Sequence, residues 1–132
     1  MRASLVISIA ALASAVAGGV PVVPGVSATQ ESSQIAQGRS HYLEVCQRCH
    51  GADGKRGEGF HTPIWGQGAM IGPKFGNARA MIDYMQLMPF DNPSLLDDAQ
   101  KLAVVAFILA NHGAIKPTDT INPSKAASIP IR

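Results

Sequence analysis

The chain has 132 residues, the length of a single domain. Its formal net charge of +2 is too small to mark a polyanion-binding protein, so no nucleic-acid partner is expected. After the first stretch, no segment is long and apolar enough to cross a bilayer, which takes roughly 20 residues.

At the start, Arg2 precedes an uncharged apolar run, LVISIAALASAVA (residues 5–17), and Val26-Ser27-Ala28 has the small residues of a signal cleavage site. An uncleaved anchor is the alternative, but the run is short for a span and Pro21 and Pro24 interrupt its continuation. Residues 1–28 are therefore expected to be a cleaved secretory signal, and residues 29–132 one exported domain with no integral membrane segment. Within that domain residues 35–46 have helical spacing, with Ile35, Tyr42, Val45 and Cys46 near one face. Gly51 to Gly76 holds eight glycines and two prolines in 26 residues, a density that breaks regular structure and predicts a long loop. Helical spacing returns over residues 77–87, where Ala78, Met81, Met85 and Met88 recur, and Pro89 stops it by pushing Met88 toward an extended conformation. The clearest helix runs from Asp98 to His112, with Asp97 and Gln100 as a capping pair and Gly113 as the stop. Residues 114–132 carry Pro117, Pro123 and Pro130 and read as a surface tail. No strand pattern appears, so the expected class is all-α.

The chemistry is concentrated in Cys46-Gln47-Arg48-Cys49-His50. Two thiols three residues apart on a helical turn can bond to both vinyl groups of one haem, and the adjacent histidine can then face the iron. A thioredoxin-like redox pair shares the C-x-x-C spacing but expects alternating strands and helices. A zinc site wants a fourth ligand, for which only His41, His61 or His112 remain. A structural disulfide would close a tight loop. The motif, the export signal and the helical pattern agree on one covalent haem c per chain, held by Cys46 and Cys49 with His50 on the iron. Two haem propionates would bring the exported holoprotein close to neutral or below.

Methionine or histidine can serve as the second axial ligand. Met81, Met85 and Met88 share a helical face, where methionines usually pack. Met88 differs because Pro89 ends the helix there, freeing its side chain to reach the iron. Met85, Met70 and His61 stay open as alternatives, whereas His112 reads as a favourable charge near a helix C-terminus.

Residues Gly38 to His112 resemble a class I c-type cytochrome. Gly38 and Tyr42 stand where that family crosses its first and last helices, with Phe107 as a partner on the last helix. Pro63, in His-Thr-Pro-Ile-Trp-Gly, stands where a family proline accepts a hydrogen bond from the proximal histidine through its carbonyl. Met88-Pro89 stands where the distal methionine is often followed by proline. MPFDNPSLLDDAQKLAVVAFILANHG is similar to the monohaem cytochrome subunits or domains of periplasmic sulfur-compound (sulfite or sulfur) dehydrogenases.

The resemblance implies a small class I cytochrome c fold, with helices packed around one covalently bound haem and a long Gly-rich loop. It implies cofactor binding by Cys46, Cys49, His50, Pro63 and Met88, with His50 and Met88 on the iron. The expected function is periplasmic one-electron transfer between redox proteins (a dehydrogenase donor, an oxidase or another cytochrome as acceptor) in sulfur-compound oxidation, with no catalytic residue of its own. Two alternatives are a cytochrome subunit fixed in a dehydrogenase complex through Tyr84, Phe90 and Trp65, and an open-site haem protein acting on peroxide or a small gas, with His61 over the iron.

Overall fold

Ser32 starts the first helix of the computed structural model, which describes residues 30–132; the expected signal at residues 1–28 lies outside the described residues. The Ser32 hydroxyl accepts a hydrogen bond from the Ile35 amide at 3.3 Å and so caps α1 (Ser33–His41). The backbone then stays helical through a π segment (Tyr42–Cys46) into α2 (Gln47–His50). The helical run expected over residues 35–46 thus reaches His50, and Cys46, Cys49 and His50 ride on its last turns. Gly51 ends it at φ 80°, a left-handed conformation that costs glycine least, and a side chain there would also strike the Arg56 carbonyl.

Residues 51–70 form no helix or strand, as the glycine density predicts. A short helix not anticipated from the sequence follows, α3 (Ile71–Phe75), and Asn77 caps α4 (Ala78–Met85) by accepting from the Ala80 amide at 3.1 Å. Beyond Met85 the chain tightens: the amides of Leu87 and Met88 bond to the carbonyls of Tyr84 and Met85, each at 3.0 Å. α5 (Asp98–His112) opens on the expected capping box, in which Asp97 accepts from the Gln100 amide at 2.8 Å and Gln100 accepts from the Asp97 amide at 2.9 Å. Gly113 closes it in the left-handed conformation at φ 85°.

α5 is the centre of the molecule. Every residue from Ala103 to Leu109 is buried, so this helix is covered on all sides rather than along one stripe. α1 crosses it at Gly38, where a β-carbon would collide with the Ala103 carbonyl and press on Phe107. Past that crossing, Tyr42, Trp65 and Phe107 form an aromatic cluster with ring centroids 5.1 to 5.5 Å apart. Among the described residues there is no β-strand, only an isolated bridge between Asn77 and Pro130, and the fold is all-α.

The C-terminal segment is more than a surface tail. Gln34 holds Ile121 by both ends of its amide, donating to the Ile121 carbonyl at 3.1 Å and accepting from its N–H at 2.7 Å. A 3₁₀ turn (Pro123–Ser128) packs on α4, and Ile121, Ala126 and Ile131 are buried. His112 joins this arrangement instead of standing free as a helix-end charge. Its Nδ1 accepts from the Gly66 amide at 3.1 Å, and its Nε2 lies 2.8 Å from the Arg132 carbonyl.

The Gly38 crossing leaves no room for a methyl group, and the obstacle is backbone. Gly38→Ala should cost the holoprotein at least about 2 kcal/mol, read as a lower denaturation midpoint with an unchanged slope.

Candidate functional site

Cys46 ends the π segment and Cys49 lies one turn on, inside α2. Both thiols are free and half-buried. Burial, and then the nearby Cys49, push the Cys46 thiol up to about 11, so it stays protonated at neutral pH. The His50 ring is half-buried as well, and loss of solvent lowers its pKa below the ordinary histidine value. Its imidazole is therefore neutral at neutral pH, the form that can donate a lone pair to a metal.

His50 Nδ1 is buried and has no hydrogen-bond partner. The hydrogen bond that His50 is expected to donate to the Pro63 carbonyl is not made in this structure. The loop that carries Pro63 folds back on the motif earlier in the sequence. Glu58 donates its amide to the Arg48 carbonyl at 3.1 Å, Gly57 donates to Phe60 at 2.9 Å, and the Phe60 ring stands edge-on to His50 at 5.2 Å. An apolar ring thus stands beside the imidazole. A buried unpaired ring nitrogen is uncommon in a finished protein interior and marks a group whose surroundings are incomplete.

The methionines separate by burial. Met81 and Met85 are in the core, Met70 is 55% exposed on the loop, and His61 is exposed there too. Met88 is half-buried against the core just after the last turn of α4. Three residues later Asp91 pairs with Arg48, between the two cysteines, at 3.0 Å. That contact brings the Met88 segment alongside the motif turn, although both side chains are about 70% exposed (70% and 67%) and the pair adds little stability.

Large apolar side chains stand uncovered beside the same elements: Phe60 against His50, and Leu87 and Phe90 flanking Met88. Among the described residues no group of three His, Cys, Asp or Glu side chains could hold a metal ion, so the motif gains no zinc donors from His41, His61 or His112. The residues present fit a covalently attached haem: two free thiols one turn apart, a neutral imidazole, and apolar side chains that a flat macrocycle would cover.

Residues 33–108, more than half of the chain, match the family model described as cytochrome C oxidase, cbb3-type, subunit III. The chain belongs to this c-type cytochrome family. The family implies haem c. The cytochrome is similar in fold to a chain in the crystal structure of the sulfane dehydrogenase SoxCD from Paracoccus pantotrophus, with a TM-score of 0.63 and 20% identity. That match covers 74% of this chain and 52% of the solved one, so the cytochrome spans about half the length of that chain. No curated protein sequence matches it. No helix among the described residues is long and apolar enough to cross a membrane.

Two residues beside the site were not picked out from the sequence. Phe60 carries no pattern that would place it on His50. Lys101 had a signal, because it shares a helical face with Val104, Val105 and Ile108 and that face is buried.

Tyr42 ties the motif helix to its end, donating to the Gly51 carbonyl at 2.6 Å. Burial above all, then the Cys46 and Asp53 charges, raise its pKa above the ordinary tyrosine value. The unfolded chain ionises this phenol near pH 10. The stability it contributes is thus complete below about pH 10 and falls as pH rises from there through the folded value. Tyr42→Phe should cost about 1 kcal/mol at neutral pH and make the alkaline decline shallower, as followed by thermal melts between pH 8 and about pH 11.

Proposed function

We propose that this cytochrome carries single electrons between redox proteins in the periplasm and serves sulfur-compound oxidation. The observation that supports the reading is the Arg48–Asp91 contact, which links the motif turn to the segment just after Met88, so that His50 and Met88 would face one haem. Cys46 and Cys49 would hold one haem by thioether bonds, and His50 and Met88 would be its axial ligands. Pro63 remains the acceptor that the resemblance offers for the orphaned His50 N–H.

When bound, the haem supplies a one-electron couple, and methionine ligation raises its potential relative to two histidines. The chain's part is to attach, ligate and shield. Neutral His50 offers its lone pair without first losing a proton. Met81 and Met85 are committed to the core, whereas Met88 is half-buried just past the end of α4. Phe60, Leu87 and Phe90, exposed beside His50 and Met88, would lie against the haem, and no side chain would have to move a proton for the electron to pass. Docking to the donor dehydrogenase and to the acceptor would be weak and brief, as in other redox encounters. Export rests on residues 1–28, read as a cleaved signal.

A fixed place in a dehydrogenase complex is the second reading, supported by the fold likeness to about half of a SoxCD chain. Co-purification from an export-competent host with a larger partner would favour it, whereas isolation as a monomer would favour the free carrier.

The oxidised holoprotein should show one haem per chain and the weak red sulfur-to-iron charge-transfer band, and Met88→Ala should abolish that band. Survival of the band in the variant would pass the ligand role to Met70 or Met85. Absence of the band in the unaltered protein, with ready binding of carbon monoxide when reduced, would replace the carrier by an open-site haem protein.

A further inference from the structure

Lys101 lies in the first turns of α5 with only 5% of its surface exposed, among neighbours such as Val104 and Val105 that are completely buried. Among the described residues no carboxylate pairs with it: the ion pairs there join Arg39 to Glu31, Arg48 to Asp91 and Arg79 to Asp83. A buried ammonium without a counter-charge is costly, and methionine would fill the same space without that cost. The position is also unfavourable for the helix itself, because the N-terminal end of a helix carries positive potential. The stability of α5 therefore does not account for a lysine here.

What the ammonium does is hold the neighbouring helix. Nζ donates to the Gln86 carbonyl at 3.2 Å. Gln86 is the C-cap of α4, and the two amides that follow it, of Leu87 and Met88, bond back to Tyr84 and Met85. The Lys101 bond thus secures the end of α4 two residues before Met88. A cation is well placed at that point, because a helix C-terminus carries negative potential.

We propose that Lys101 is a positioning residue for the haem site: it fixes the end of α4 so that Met88 is held for the iron, and its buried charge favours the reduced state. This rests on the Met88 ligation proposed above. The charge effect follows from sign and medium. An added electron is stabilised by a nearby cation, and more strongly in a dry interior than in water. No acidic side chain among the described residues offsets it by pairing.

The test uses covalently loaded holoprotein and three variants, Lys101→Met, Lys101→Gln and Lys101→Arg. The readouts are the sulfur-to-iron band of the oxidised form, the rate of carbon monoxide uptake by the reduced form, the midpoint potential and the melting temperature. Lys101→Met should lose band intensity, take up carbon monoxide faster and shift to a lower potential. Lys101→Gln, which can still donate to the carbonyl, should retain more of the band yet share the lower potential. Lys101→Arg should stay near the unaltered protein in both. If Lys101→Met and Lys101→Gln keep the original band, uptake rate and potential while only the melting temperature changes, Lys101 is merely a structural cap and the inference is overturned. That result, with the band present in the unaltered protein and lost in Met88→Ala, leaves the ligand assignment standing. Loss of the band from the unaltered protein overturns both.

Discussion

The close crossing of α1 and α5 at Gly38 is the constraint on which the site depends. Because glycine has no side chain, the Ala103 carbonyl can lie against the α1 backbone, and the two helices approach more closely than any other residue would permit. Everything that follows Gly38 inherits that position. Tyr42 reaches the aromatic cluster with Trp65 and Phe107, its hydroxyl fastens Gly51, and the motif between them is presented on an unbroken helical run. Cys46, Cys49 and His50 are themselves only half-buried, but the helical run that carries them is anchored on the buried centre of the molecule, α5.

The opposite side of the site is built differently. α4 places Met81 and Met85 in the core and then tightens into its final turn, so Met88 emerges at a defined position rather than on a free loop. Two cations hold this end. Lys101 does so from within, on the Gln86 carbonyl, and Arg48 from the solvent side, on Asp91. The inner contact is protected from water and salt and the outer one is screened by both, so the inner one dominates.

Much of this was legible in the sequence because it depends on local rules. Asp97 and Gln100 are three residues apart before an apolar run, Gly113 follows the last periodic residue, and eight glycines forbid regular structure over most of residues 51–76. The Gly38–Tyr42–Phe107 contact was legible through resemblance, and the structure places those three residues at the crossing. Other features depend on distant partners and leave little local trace. Ile121, Ala126 and Ile131 have no periodicity, so a buried C-terminal segment reads as a surface tail until Gln34 and α4 are set beside it. His112 looked like a helix-end charge because Gly66 and Arg132, its partners, are remote in sequence. Pro63 was placed by position in a motif, whereas the fold of the intervening loop put Phe60 on the imidazole. Lys101 was readable from its face of α5, but a lysine among valines is easily taken for a solvated residue.

The central claim is a single haem on Cys46 and Cys49, ligated by His50 and Met88. Proton NMR of the reduced holoprotein, with methionines assigned by single substitutions, tests it most directly. The ring current of the macrocycle should carry one methionine side chain far upfield, and that side chain should be Met88. An upfield set belonging to Met70 or Met85, or no such set at all, would contradict the account.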